Sequence, residues 1–190
     1  VARRDIVVLV SGLAASGKST ISRRLAEELG LQLYSGGEVL KTIAAARGFR
    51  PTQTRWWETS EGMAFLSLRE RDLSIDRSCD EWLLSRAREG GVVIDSWVLP
   101  WLYDDGLKIW LKASKSVRAE RLSRRSGLPL NEAVRVLEER DRRNIELYAR
   151  LYGIRVGSDY EPFHLILDTT TLSSNSVYSV VLAAVRSFYP

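Results

Sequence analysis

The 190-residue chain holds one cysteine, Cys79, and one histidine, His164. One thiol cannot close an internal disulfide, and one of each cannot build a Cys/His zinc cluster or a Cys–His nucleophile pair. Cys79 reads as a small buried helix residue and His164, beside Phe163 at a strand start, as structural. No apolar run approaches the ~20 residues that span a bilayer. The opening Val1-Ala2-Arg3-Arg4-Asp5 leads straight into a predicted strand and does not read as a signal peptide, so a reducing cytoplasm is the expected setting. Also missing are an Asn-Lys-x-Asp guanine-reading motif, aromatic RNA-binding motifs, and any repeat or linker that would divide the chain. One domain over 1–190 is therefore expected.

What is present is charge in one place. The net charge is +4, yet Lys112 to Arg143 alone carries ten basic and five acidic residues, leaving the rest at −1. A concentrated positive segment suits a polyanion such as nucleotide phosphates; it also suits a solvated helical surface, and composition leaves both open.

Apolar runs predict strands over Ile6–Val10, Leu31–Tyr34, Val92–Ile94 (running into Asp95), Leu107–Leu111 and Phe163–Leu167. Helical spacing predicts Lys18–Leu29, Gly37–Arg47, Met63–Arg71, Leu73–Glu89, Lys115–Arg125 and Leu130–Tyr152. A last helix is expected to bury Val177, Val180, Val181, Ala184 and Phe188. Residues 51–60, with Pro51 and the Trp56-Trp57 pair, are ambiguous. Glu138 to Asn144 is wholly polar, so a helix crosses it only if solvent or a ligand faces it. Strand–helix alternation predicts an α/β sandwich with a parallel sheet.

Gly12-x-x-x-x-Gly17-Lys18-Ser19 has the spacing of a phosphate-binding loop, with a buried strand before it and an amphipathic helix after it. The residues expected to hold a nucleoside triphosphate are Gly12, Leu13, Ala14, Ala15, Ser16, Gly17, Lys18, Ser19 and Thr20. Glycines let successive N–H groups turn inward, and the helix N-terminus adds partial positive charge. Lys18 is expected on the β- and γ-phosphates, and Ser19 and Asp95 on Mg²⁺. Asp95 is followed by Ser96 rather than a second acid, so a water-activating pair is absent and a phosphotransferase is favoured over a motor ATPase. Arg118, Arg121 and Arg125 can share one helix face, and Arg140 and Arg143 lie three apart, as a set able to surround a migrating phosphoryl group.

Beyond the loop, the chain resembles archaeal-type cytidylate kinases, within the nucleoside monophosphate kinase group. The resemblance rests on Ser35-Gly36-Gly37-Glu38, Asp72-Leu73-Ser74-Ile75-Asp76-Arg77, Leu107 to Ala113, Val117 to Arg125, Arg140-Asp141, Leu151-Tyr152-Gly153-Ile154 and Leu167-Asp168-Thr169. It implies ATP as donor, Mg²⁺, a three-layer sandwich on a five-stranded parallel sheet, an acceptor-binding helical region over about 35–90 and a lid over about 115–150. It implies that Ser35 and Lys41 face the acceptor, that Asp76 sits near its base or sugar, and that Arg121, Arg125, Arg140 and Arg143 clamp phosphates. Small-molecule nucleotides are the expected partners, nucleic acid and membrane are not, and the expected working unit is a monomer.

The departures fall at the acceptor. Trp97 stands where an arginine for the acceptor phosphate is expected, Trp82 and Leu83 stand where an Arg-Gln pair reads the base, and Lys41 replaces an arginine. Trp97 is a candidate for stacking on a base, and Trp82 for packing. CMP or dCMP is the leading acceptor. A hydroxyl compound such as a nucleoside, or an RNA-stimulated ATPase with no acceptor, are the competing readings.

Overall fold

The computed structural model describes residues 5–51 and 55–190. Residues 1–4, the start of the opening stretch, and 52–54, part of the ambiguous stretch 51–60, lie outside the described residues.

Five strands, β1 (Val7–Ser11), β2 (Gln32–Ser35), β3 (Val92–Asp95), β4 (Leu107–Lys112) and β5 (Leu165–Asp168), form one parallel sheet in the order β2-β3-β1-β4-β5. Every residue of β1 is buried, as the central strand of a sheet covered on both faces must be. Its side chains alternate: Val8 and Val10 join Ile21, Leu25, Val177, Val181 and Val185 on one side, while Val7 and Leu9 join Leu40, Phe65, Ile75 and Leu83 on the other. The first layer is α1 (Lys18–Leu29) and α8 (Ser174–Phe188). The second is α2 (Gly36–Ala46), α3 (Ser60–Arg71) and α4 (Ser74–Glu89). Truncating Leu9 or Leu25, each fully buried at the middle of a layer, removes about 2–5 kcal/mol.

Most predicted boundaries move by a residue or two, and the start of α3 moves by three. α3 starts at Ser60 rather than Met63, because the Thr59 hydroxyl accepts the Gly62 amide at 3.1 Å and caps it. Just before it, Trp56–Glu58 forms a 3₁₀ turn held by Trp56 Nε1 donating to Glu61 at 2.7 Å. A Cβ on Gly62 would sit 2.0 Å from the Trp56 carbonyl oxygen, so only glycine lets this turn lie against α3. On α8 the buried stripe is Val177, Val181 and Val185. Val180 and Phe188, expected inside, are 43 % and 42 % exposed, because one narrow stripe suffices to cover the sheet edge. A short α5 (Leu99–Leu102) gave no periodic signal.

α6 (Lys115–Ser126) and α7 (Leu130–Tyr152) pack together through Ala119, Leu122, Ala133 and Leu137, and the same cluster takes in Ala14 of the β1–α1 loop. The wholly polar stretch of α7 therefore does not face solvent or a ligand alone: Asp141 and Asn144 are buried against protein. Trp110 is core, and His164 is structural, its Nδ1 accepting the Lys108 amide at 3.0 Å. Among the described residues no helix is long and apolar enough to cross a membrane.

Candidate active site

In an open parallel sheet the ligand crevice lies beyond the carboxyl ends of the strands, where the chain order reverses. Here that place is the end of β1, between β3 and β4. A cleft of about 690 Å³ opens there, in the size range of small-ligand sites. It runs from the β1–α1 loop, past the ends of β2 and β3, to α3, α4 and α7.

The loop has the geometry its spacing predicts. A Cβ at Gly12 would lie 2.4 Å from the Leu111 carbonyl oxygen, with φ at +153°, so the turn out of β1 demands glycine. Ala15 is left-handed at φ 59°, which turns neighbouring amides toward one point. Gly17 caps α1 without a side chain, leaving the first amides of that helix free for an anion. Ala14 to Thr20 line the cleft, while Gly12 and Leu13 stand behind it. Lys18 Nζ donates to the Leu13 carbonyl at 3.3 Å and lies 5.3 Å from the centre of the Trp97 ring. Burial pushes its ammonium down to about 8, against the pull of Asp95.

Asp95, at the end of β3, accepts the Ser35 hydroxyl at 2.9 Å, and the Ser19 hydroxyl lies close enough to help hold its charge. Burial raises its carboxyl above the usual range, with Lys18 opposing. A hydroxyl and one carboxylate, side by side next to a phosphate loop, fit Mg²⁺, which keeps most of its waters and takes few protein oxygens. The donor set is thus right for that ion.

The predicted arginines separate into different groups. Arg121 lines the cleft and ties its walls together, donating to the carbonyls of Ser16 at 3.1 Å and Thr169 at 2.9 Å. Arg125 and Arg140 also line it, and both donate to Glu58 Oε1, from the 3₁₀ turn. Burial lowers the Arg140 guanidinium, with Glu58 opposing. Arg143, expected as a fourth clamp, is turned away: Glu70 takes it through two nitrogens and Ser67 accepts a third contact at 2.7 Å. It does not line the cleft, because three residues along a helix move a side chain about 60° off the Arg140 direction, here toward α3. Arg118 likewise does not share the exposed face of Arg121 and Arg125. It is buried against Asp141 at 2.6 Å and donates to the Ala14 carbonyl at 3.1 Å. Asp141 accepts the Ala14 amide at 3.2 Å, so this ion pair grips both polar groups of one loop residue.

On the acceptor side Ser35, Lys41 and Trp97 line the cleft. Lys41 Nζ pairs with Glu38 at 2.9 Å. Trp97 lies nearly parallel to Tyr148, centroids 6.4 Å apart. Asp76 does not line it: its carboxylate is consumed by Arg69, at 2.9 and 2.6 Å, and by the Tyr148 hydroxyl at 3.1 Å. It positions Arg69, which does line the cleft. Sequence reasoning missed Arg69, Asp80, Tyr148 and Glu58. The only signal for the first was a pair of opposite charges seven residues apart across a helix break, too common to single out.

The cytidylate kinase-like family matches this chain over residues 7–171. The cytidylate kinase of Aeropyrum pernix is 39% identical over 181 residues, 94% of this chain and 98% of that one. That of Pyrococcus horikoshii is 34% identical over 186 residues, 97% of this chain and 91% of that one. Among solved structures, a protein from Eubacterium ventriosum superposes with a TM-score of 0.70 at 16% identity, over 97% of this chain and 99% of that one. A shikimate kinase from Acinetobacter baumannii, in complex with shikimate, does so with 0.58 at 18%, over 99% and 96%. At such identities the structures speak for the fold, a parallel α/β sandwich, and the sequence relatives for the family.

Proposed function

Since this chain belongs to the cytidylate kinase-like family, we propose that it transfers the γ-phosphoryl group of ATP to CMP or dCMP. It is a nucleoside monophosphate kinase of one domain, with an acceptor-binding region over about 35–90 and a lid over about 115–150. The observation that carries the reading is one cleft with a phosphate loop at one end, a buried donor–acceptor cluster at the other, and Arg121, Arg125 and Arg140 between them.

The β- and γ-phosphates lie on the inward amides of Ala14 to Thr20, with Lys18 as their point charge. Arg121, already fixed by the Ser16 and Thr169 carbonyls, presents its guanidinium without reorganising, which is what electrostatic stabilisation of a transfer requires. Arg125 and Arg140 hold the migrating group once they exchange Glu58 for phosphate oxygens. Ser35, Lys41 and Trp97 hold the acceptor. Ser19 and Asp95 would hold Mg²⁺, which would supply positive charge to offset that of the phosphates. The acceptor phosphate is already ionised near pH 7, so no strong base is needed. One of its oxygens bonds to the γ-phosphorus as the bond to the β–γ bridging oxygen breaks, and ADP leaves. Asp76, behind the cleft wall, keeps Arg69 in place.

Coupled measurement of ADP release with Mg·ATP, across nucleoside monophosphates and the matching nucleosides, tests this. Turnover is expected with CMP and dCMP, and Lys18→Ala is expected to cut kcat/KM by about 10²-fold or more. Turnover of nucleosides with none of any monophosphate, or an unimpaired Lys18→Ala, overturns it.

A further inference from the structure

The two positions where a base-reading pair is expected cannot read a base. Trp82 is 41 % exposed and packs edge-on against Tyr34, outside the cleft. Leu83 is sealed in the core between α4 and the sheet. Yet the acceptor end of the cleft is not apolar. One turn earlier on α4, Asp80 lines it at 3 % exposure. Its Oδ2 accepts the Tyr152 hydroxyl at 3.0 Å, and its Oδ1 has no hydrogen-bond partner among the described residues. Arg69 lines the same wall at 2 % exposure. Its Nε and Nη2 are committed to Asp76 and Tyr148, and its Nη1 has no partner among the described residues. Neither atom is among the sealed, unpartnered polar atoms of the described residues, so each opens onto the cleft and is available to a ligand.

We propose that Asp80 and Arg69 together read the Watson–Crick edge of the acceptor's base, Asp80 Oδ1 accepting the 4-amino N–H of cytosine while Arg69 Nη1 donates to the adjacent ring nitrogen. This rests on the reading of the chain as a nucleoside monophosphate kinase and names what its acceptor pocket selects. A cytosine edge offers a donor beside an acceptor, the complement of one free carboxylate oxygen and one free guanidinium nitrogen. Uracil places a carbonyl where the amine stood. It matches the pair only by sliding one position along its edge, and an acceptor phosphate held at the transfer site does not permit that slide. The burial of Asp80 and the charge of Asp76 lift its carboxyl to about 7, so an N–H from the ligand is what holds it ionised at neutral pH. The supports are fixed: Arg69 sits in the fork of a buried carboxylate, and Tyr152 anchors the far oxygen of Asp80.

The test is steady-state kinetics with CMP, UMP and the 4-dimethylamino analogue of CMP, for the unaltered chain and for Asp80→Asn. The unaltered chain is expected to favour CMP over UMP and over the dimethylated analogue by about 10- to 100-fold in kcat/KM, the range of one charge-assisted hydrogen bond. Asp80→Asn is expected to lower kcat/KM for CMP by a similar factor, mostly through KM, and to leave UMP unchanged or improved. Equal loss for CMP and UMP in the variant overturns the proposal, and so does equal turnover of CMP and its dimethylated analogue by the unaltered chain. The analogue decides the matter even where the variant does not fold. Turnover of CMP without selectivity removes the base reading alone, whereas turnover of no monophosphate at all removes the kinase reading and this inference with it.

Discussion

Replacing Asp141 by asparagine tests how the phosphate loop is held. Asp141 and Arg118 form a buried pair at 2.6 Å, with side chains 11% and 7% exposed. Asparagine keeps the shape and one acceptor but removes the charge, leaving Arg118 buried without its counter-ion. Arg118 Nε already has no partner among the described residues, so nothing nearby absorbs the loss. Breaking one half of such a pair costs about 3–5 kcal/mol. At roughly 2–4 °C per kcal/mol for a chain of this size, the melting temperature falls by about 6–20 °C. The double variant Arg118→Met, Asp141→Leu removes both charges and fills the space with apolar groups, which is often nearly neutral. Its melting temperature therefore recovers most of the loss. KM for ATP does not follow this recovery: in the double variant it rises by about tenfold, because there the Ala14 amide and carbonyl have both lost the groups that fix the loop. Scanning calorimetry and ATP titration of the coupled assay give the two readouts. A single variant melting within about 2 °C of the parent refutes the energetic argument, and a double variant with the parent's KM refutes the role of the pair in holding the loop.

The remaining predictions concern two other acids. Asp80 titrates near 7 in the folded protein and near 3.8 as an ordinary aspartate, so between those values the folded chain keeps a proton that the unfolded chain has lost. Its contribution to stability is greatest below about pH 4 and declines as pH rises through 7. Arg69, Asp76, Cys79, Tyr148 and Tyr152 are the titratable neighbours it interacts with. Asp80→Asn, which keeps an acceptor for Tyr152, is thus expected to melt several degrees above the parent at pH 8, with the gap closing toward pH 4; a gap that is constant with pH contradicts the assignment. Glu58→Gln removes the anion shared by Arg125 and Arg140. Calorimetric titration is expected to show a non-hydrolysable ATP analogue binding about five- to tenfold tighter while the ligand-free protein melts lower, and unchanged affinity for that analogue counts against competition between this carboxylate and phosphate.

The fold was legible because its signals are local. A continuous apolar run such as Val7 to Val10 admits little besides a buried strand, and the spacing from Gly12 to Ser19 needs only its own strand and helix to make sense. Arg121, Arg125 and Arg140 were legible as a cluster because charge density survives without knowing directions. Which arginines point where was not, since Arg118, Arg140 and Arg143 differ by helical angle and by the acid waiting on another element: Asp141, Glu58 and Glu70. Asp76 drew attention as part of a motif, yet its carboxylate serves Arg69 from across a break between two helices, a pairing that only the packing of α3 on α4 creates. Glu58 stayed hidden because a three-residue 3₁₀ turn leaves no periodicity to detect.

The Lys18 ammonium rests 5.3 Å from the centre of the Trp97 ring, which places an intrinsic fluorophore beside the phosphate loop. A cation over an indole face perturbs its electronic transitions, and phosphate oxygens draw that cation off toward the loop. Of the six tryptophans only Trp57 shares the cleft with Trp97, so replacing Trp57 by phenylalanine isolates the signal. Occupancy of the phosphate loop is therefore expected to shift the emission of Trp97, which a stopped-flow mixing of protein with nucleotide checks with no dye attached.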